Sequence, residues 1–232
     1  MKKKQETLIE HLEALRAVLI KALSALAIGL LPMFLVSPYV MNALIKLIIS
    51  GDDTSLNFFA PMEVFILQFK IALLLDILLC FPYIAKQVWK FVVPALYANE
   101  RKFIKSAVLI SSTLFIIGVL FCLFLIMPAV IRFGLSFAGF NIKPLLGISN
   151  VISLALWLSL MFGIMFQFPL VTYSLIRLDI VEYDTIKSKR AYVFTGILIL
   201  SALLTPPDII SQLMLTLPTY GLFEIGLFFG KK

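Results

Sequence analysis

Apolar residues in this chain run in long blocks separated by short clusters of charge and turn residues. Read between the charges, the blocks fall near 18–36, 65–83, 107–127, 151–176, 192–204 and 209–229. A hydrocarbon layer roughly 30 Å thick takes about 20 helical residues to cross, and a backbone in lipid must bond to itself, so blocks of this length read as helices. The period-2 alternation of a membrane barrel is absent. The pattern therefore predicts an all-α membrane protein of six transmembrane helices in one polytopic domain spanning residues 1–232. The fifth block gives only about 20 Å of helix before Pro206-Pro207-Asp208, where the prolines force a turn and Asp208 can cap the next helix. The fifth and sixth helices are thus expected to form a short hairpin. Before the first block, Leu8, Leu12, Leu15 and Leu19 share one helical face, with Glu6, Glu10 and Glu13 opposite, the signature of an amphipathic segment.

Composition agrees with a membrane environment: of 232 residues, 61% are hydrophobic and 14% charged. The formal charge of +7 reports topology. Of the 20 Lys and Arg, all but Lys46, Lys70, Arg132 and Lys143 sit at the termini, at the mouth of the first block (Lys21), or in the connections 84–106 and 177–190. By the positive-inside rule both termini are cytoplasmic, and no nucleic-acid partner is needed to explain the charge. The outer connections, about 37–64 and 128–150, carry Gly51-Asp52-Asp53, Pro61, Pro144 and Gly147 and are expected to form an ordered cap. The basic N-terminus has no small-residue cleavage site after its apolar run and does not read as a removable signal. Cys80 and Cys122 lie inside apolar blocks and read as small buried residues, with no disulfide or metal.

No HExxH, GxSxG, P-loop or other nucleotide motif occurs, and there is one histidine, His11. No catalytic residue, metal or cofactor is expected, which leaves binding and transport. Charges inside spans cost roughly 2.5–3.5 kcal/mol each on insertion scales, so each is a candidate for function. Lys70 and Asp76 are the intramembrane charges. Glu63 and Lys70 lie two turns apart on one helical face, and Asp76 points away. Gln167 in the fourth block and Glu224 near the end of the sixth need partners in lipid. A small secondary transporter using Lys70, Asp76 and Gln167 at a midplane site is one way to read them. Such folds carry repeated halves and broken helices, and neither is visible in the sequence.

Several longer segments carry a more specific signal: HLEALR at 11–16, FFAPMEVF at 58–65, FPYIAKQVWKFVVPALYANER at 81–101, FIIGVLFCLFLIMP at 115–128, FGIMFQFP at 162–169, KRAYV at 189–193, LLTPPDIISQ at 203–212 and LFEIG at 222–226. In this order, over nearly the whole chain, they resemble the signature segments of the TatC family, the polytopic core subunit of the twin-arginine protein translocase. The resemblance implies a receptor for signal peptides with two consecutive arginines, exporting folded proteins on the proton gradient. It also implies single-span TatA- or TatB-type partners against the fifth and sixth spans, and association of several copies. A bacterial inner membrane, or an organellar one, would be the setting. By resemblance Glu100 supplies an acid for the arginine pair, since a carboxylate accepts a guanidinium fork through two parallel bonds. Gln87, Trp89 and Phe91 are expected to wall that site, Tyr97 to sit at headgroup level, and Arg16 and Arg101 to lie beside it.

Four departures from the family pattern matter. Ala14 stands where relatives carry an acid before Leu-Arg. Glu13 is rotated from that position by about 100°, whereas Glu10, one turn back, is only about 40° away and is the better substitute. Gln167 replaces a glutamate common in the fourth span, keeping a hydrogen-bonding group without a proton-linked charge. Asp76, also unusual for the family, is a candidate compensation. Finally, Ala191 replaces a proline at the start of span five. Gln167, Pro207, Asp208, Gln212 and Glu224 are expected to serve structure or partner contact, with the small residues Gly196, Ser201, Ala202 and Ser211 allowing close approach.

Overall fold

A computed structural model of the chain describes residues 8–49, 56–92, 101–136, 145–178, 180–204 and 209–231. Five helical stretches among them are long and apolar enough to cross a membrane: 12–48, 63–91, 104–136, 148–177 and 212–230. A shorter apolar helix covers 190–203. The fold is an all-α membrane bundle.

The first helix, α1 (Leu8–Ile49), is 42 residues long, far more than the expected span. The amphipathic segment and span one are therefore a single rod, because nothing between Leu8 and Val36 interrupts helical geometry except Pro32. Pro38 removes a donor that would have bonded the Phe34 carbonyl, and the buried Ser37 hydroxyl donates to that carbonyl at 2.8 Å instead. α2 (Glu63–Val92) returns antiparallel to α1. Successive contacts fix that direction: the Phe34 ring meets Phe65, Gly29 lies against Asp76, and the Cys80 thiol points at the Ala25 carbonyl.

α3 (Arg101–Phe121), a π-helical turn at Cys122–Ile126 and α4 (Met127–Ser136) make one longer rod. Pro128 causes the turn. It offers no N–H to the Phe124 carbonyl, and just before it the Met127 N–H bonds Cys122 O, five residues back. The fourth span, expected as one helix, is instead α5 (Ile148–Met165) and α6 (Phe168–Arg177), broken at Phe166-Gln167 ahead of Pro169. α7 (Tyr183–Ser188) leads to α8 (Arg190–Leu204) and α9 (Ile209–Gly230). At 15 residues, or about 22 Å, α8 is as short as its sequence implied.

On the side opposite the termini, Leu56–Asn57 (β1) and Leu146–Gly147 (β2) form a two-residue parallel ladder. Glu63 reinforces it, accepting the Phe59 and Ala60 N–H groups at 2.7 and 3.2 Å and that of Ser149 at 3.0 Å. The outer connections are thus tied together where they are described, and a carboxylate meets the N-terminal turn of α5.

Among the described residues the interior has three parts. The largest lies between α2, α5 and the π turn, around Leu67, Ile71, Cys122, Ile152 and Phe162. A second joins α2, α3 and α6 through Trp89, Ala107 and Leu170, and a third joins α6, α8 and α9 through Ile176, Ile197 and Leu227. Close approach of α3 to α5 needs two glycines: a Cβ at Gly118 would meet the Phe162 carbonyl at 2.7 Å, and one at Gly163 the Phe115 ring. Because α6 and α9 run parallel, with Gly226 on Pro169 and Gly230 on Ile176, the start of α1 and the end of α9 lie on the same side.

Candidate functional site

The sequence placed a cradle of acids where the first turns of α1 meet the connection after α2. The antiparallel pairing of α1 and α2 leaves the first turns of α1 and the last turns of α2 on one side. Following the register from Phe34–Phe65 through Gly29–Asp76 and Ala25–Cys80, Glu13 and Arg16 come level with the last turns of α2, where Gln87 and Phe91 lie. Glu13 and Arg16 are exposed, and Gln87 and Phe91 are half-buried. Glu10 belongs to the first turn of α1 and Arg101 begins α3, but the expectations for their side chains, and all of Glu100 and Tyr97, lie outside the described residues. Trp89 differs from its expected role. It is 9% exposed and packs inward on Ala85, Ala107 and Leu170, so it anchors α2 to α3 and α6 and does not wall the cradle.

Deeper in the bundle, Gln167 sits at the break between α5 and α6. Its Oε1 accepts the Ser111 hydroxyl at 2.6 Å, and its Nε2 donates to the Ser111 and Gly163 carbonyls at 3.1 and 3.3 Å. The break itself creates one of those needs. The Gln167 N–H turns to Ile164 O, leaving Gly163 O without its usual helical donor, and the same residue's side chain supplies one. The sequence marked Gln167 as needing a partner; the Ser111-Ser112 pair in an apolar block was the available clue to which one.

Asp76 is fully buried against α1, beside Gly29, and its Oδ1 accepts the Cys80 thiol at 3.4 Å. It faces α1, whereas Gln167 faces α3, so the two share no contact. Lys70, on another face of α2, donates to Ser153 of α5 at 2.9 Å. Lys70, Asp76 and Gln167 thus point at α5, α1 and α3 respectively, and no midplane transporter site is assembled from them. Glu63 and Lys70 do share the face toward α5, as their spacing implied, each with its own partner there.

The α8–α9 hairpin is held at its base by Glu224, which accepts Arg190 at 2.8 Å through one oxygen and the Tyr220 hydroxyl at 2.8 Å through the other. Tyr220 and Glu224 are four residues apart on α9, a spacing legible in sequence. Arg190 is not, because only tertiary folding brings it there. Higher up, Gln212 Nε2 donates to Leu198 O at 3.2 Å. Pro207 and Asp208 lie outside the described residues. Of the small residues, Ser201 is buried, whereas Gly196 has nothing within 4 Å of where a side chain would begin.

A family model described as Sec-independent protein translocase protein (TatC) matches residues 10–218. The chain belongs to the TatC family. It is 37% identical over 232 residues to the TatC of Carboxydothermus hydrogenoformans, covering all of this chain and 95% of that protein. With the Escherichia coli K12 TatC it shares 32% over 239 residues, covering 97% and 88%. A crystal structure of the twin arginine translocase receptor TatC superposes with a TM-score of 0.85 at 32% identity, over 95% of this chain and 98% of that one. TatC proteins are components of a protein translocase, and this member is a multi-pass membrane protein with a translocase role.

Proposed function

We propose that this TatC protein is the receptor and core subunit of a twin-arginine translocase in a bacterial inner membrane, with both termini in the cytoplasm. The whole chain acts as one membrane unit. Glu100 and Glu10, helped by Glu13, hold the two guanidinium groups of a signal peptide, with Arg16, Gln87, Phe91 and Arg101 bordering the site. The observation that supports this reading is the α1–α2 antiparallel pairing, which brings the first turns of α1 level with the last turns of α2. Two carboxylates discriminate Arg from Lys because only the guanidinium fork bonds each of them in parallel, and an isolated exposed pair would contribute merely about 0.2–1 kcal/mol. Single-span partners of the TatA or TatB kind pack against α8 and α9, whose length leaves hydrophobic mismatch for another helix to relieve. Transport draws on the proton gradient, and Gln167, being uncharged, acts as a helix-joining amide in that process.

The test is photo-crosslinking from a reactive residue at position 100 to a precursor whose signal carries RR or KK. Strong labelling with RR and weak labelling with KK is expected. Equal labelling, or precursor binding that survives Glu10→Lys and Glu100→Lys together, would overturn the assignment.

A further inference from the structure

The membrane-embedded cation at Lys70 has no acid beside it among the described residues. Its ammonium carries three donors, of which the Ser153 hydroxyl accepts one. The nearest acid in sequence, Glu63, is engaged with the Phe59, Ala60 and Ser149 N–H groups. A full charge held against lipid with a single neutral acceptor is costly, so a counter-charge is expected to reach it from outside the chain.

The surroundings narrow what that counter-charge belongs to. Lys70 and Ser153 sit at one end of a groove of about 370 Å³ between α2 and α5, walled by Leu73, Ile77, Leu156 and the half-exposed Trp157. Lys70 is seven positions into α2, about 10 Å along the axis from Glu63, close enough for a lysine stem to snorkel toward the headgroups of that leaflet. The groove continues from there into the hydrocarbon with purely apolar walls. A partner helix covering the groove would need an acid at membrane depth to answer Lys70, a rare feature of a span.

We propose that this groove binds one anionic glycerophospholipid of the leaflet opposite the termini. The phosphate sits on Lys70 Nζ and Ser153 Oγ, and one acyl chain lies along Leu73, Ile77 and Leu156. The site fills the α2–α5 seam and supplies the charge that Lys70 lacks. It is separate from the acid cradle at the other face and stands or falls independently of it.

Native mass spectrometry of the full chain in mild detergent tests this, with phosphatidylglycerol added as one probe and diacylglycerol of the same chains as the other. The wild type retains one phosphatidylglycerol; Lys70→Gln weakens retention roughly tenfold, the loss of one charge-assisted bond, and Lys70→Arg keeps it. Leu73→Trp, which fills the groove with Lys70 intact, also loses the lipid. Diacylglycerol binds the wild type no better than phosphatidylglycerol binds Lys70→Gln. Should Lys70→Gln fail to fold, the Leu73→Trp variant and the two probes on the wild type still decide. Equal retention by wild type and Lys70→Gln, equal binding of the two probes, or a photo-reactive residue at Ile77 that labels a protein instead of lipid in membranes would each overturn the proposal.

Discussion

At the residue scale, three polar side chains in lipid answer one constraint in different ways. Each must find a partner because the bilayer core offers no water. Ser37 and Gln167 find theirs on carbonyls released by a proline or a helix break, so they repair the backbone as well as satisfying themselves. Asp76 finds a thiol, in a space open only because residue 29 has no side chain: a Cβ there would overlap its Oδ1. Glycine serves again at Gly226, where a Cβ would lie 2.6 Å from the Cα and carbonyl oxygen of Pro169. Those are backbone atoms and cannot step aside. Gly226→Ala is therefore expected to destabilise the chain by about 1–3 kcal/mol through overpacking. Gly134→Ala, which meets nothing within 4 Å, should be neutral or stabilising by up to about 1 kcal/mol. Thermal unfolding of the two variants in detergent checks the contrast, and equal loss in both would count against the α6–α9 seam.

Between elements, the sequence and the structure part company at two prolines, Pro128 and Pro169, although helices run on through Pro32, Pro38, Pro82 and Pro218. The blocks around 107–127 and 151–176 looked like plain spans because hydropathy does not register a missing N–H. The structure shows a π turn before Pro128 and a break before Pro169. Motifs containing both prolines, FIIGVLFCLFLIMP and FGIMFQFP, were legible; the geometry they impose was not. The α1–α2 seam is also narrow, for Leu12, Leu19, Leu23, Ile28, Leu31 and Leu35 remain exposed on α1. In lipid this costs little, since the tails are as apolar as leucine. With Cys80 Sγ 3.7 Å from Ala25 O, an Ala25→Cys variant should be bridged to Cys80 in most of the molecules by a short bifunctional maleimide, which spans the pair without needing disulfide geometry. Peptide mapping reads it out. Absence of that bridge, with the variant folded, would mean that α1 and α2 pair in another register.

For the whole molecule, the α8–α9 hairpin is fastened to itself and to α6 but leaves a face open. The Arg190–Glu224 pair is 41% and 31% exposed, so it is a modest clasp of about 0.2–1 kcal/mol. Gly196 and Gly221 meet nothing within 4 Å. An open small-residue face on a helix too short for the bilayer is what a partner span would cover. Gly196→Leu should leave melting of the isolated chain within about 0.5 kcal/mol of wild type, as a surface change does. Co-purification of a single-span partner should fall roughly tenfold or more, as bulk at a close helix contact does. If that recovery is unchanged, the partner does not use this face.

Hydropathy and charge by themselves determined the class, the approximate spans and the short hairpin, because membrane thickness and backbone self-satisfaction act on each segment separately. Spacing along one helix likewise revealed the shared face of Glu63 and Lys70. Tertiary structure alone decided that Lys70, Asp76 and Gln167 face three different helices, that Trp89 turns inward, that Arg190 closes on Glu224, and that Ser111 completes Gln167. Those are pairings between segments far apart in the chain. They depend on which helices can approach closely, at Gly29, Gly118, Gly163 and Gly226, and no local pattern records who the neighbour will be.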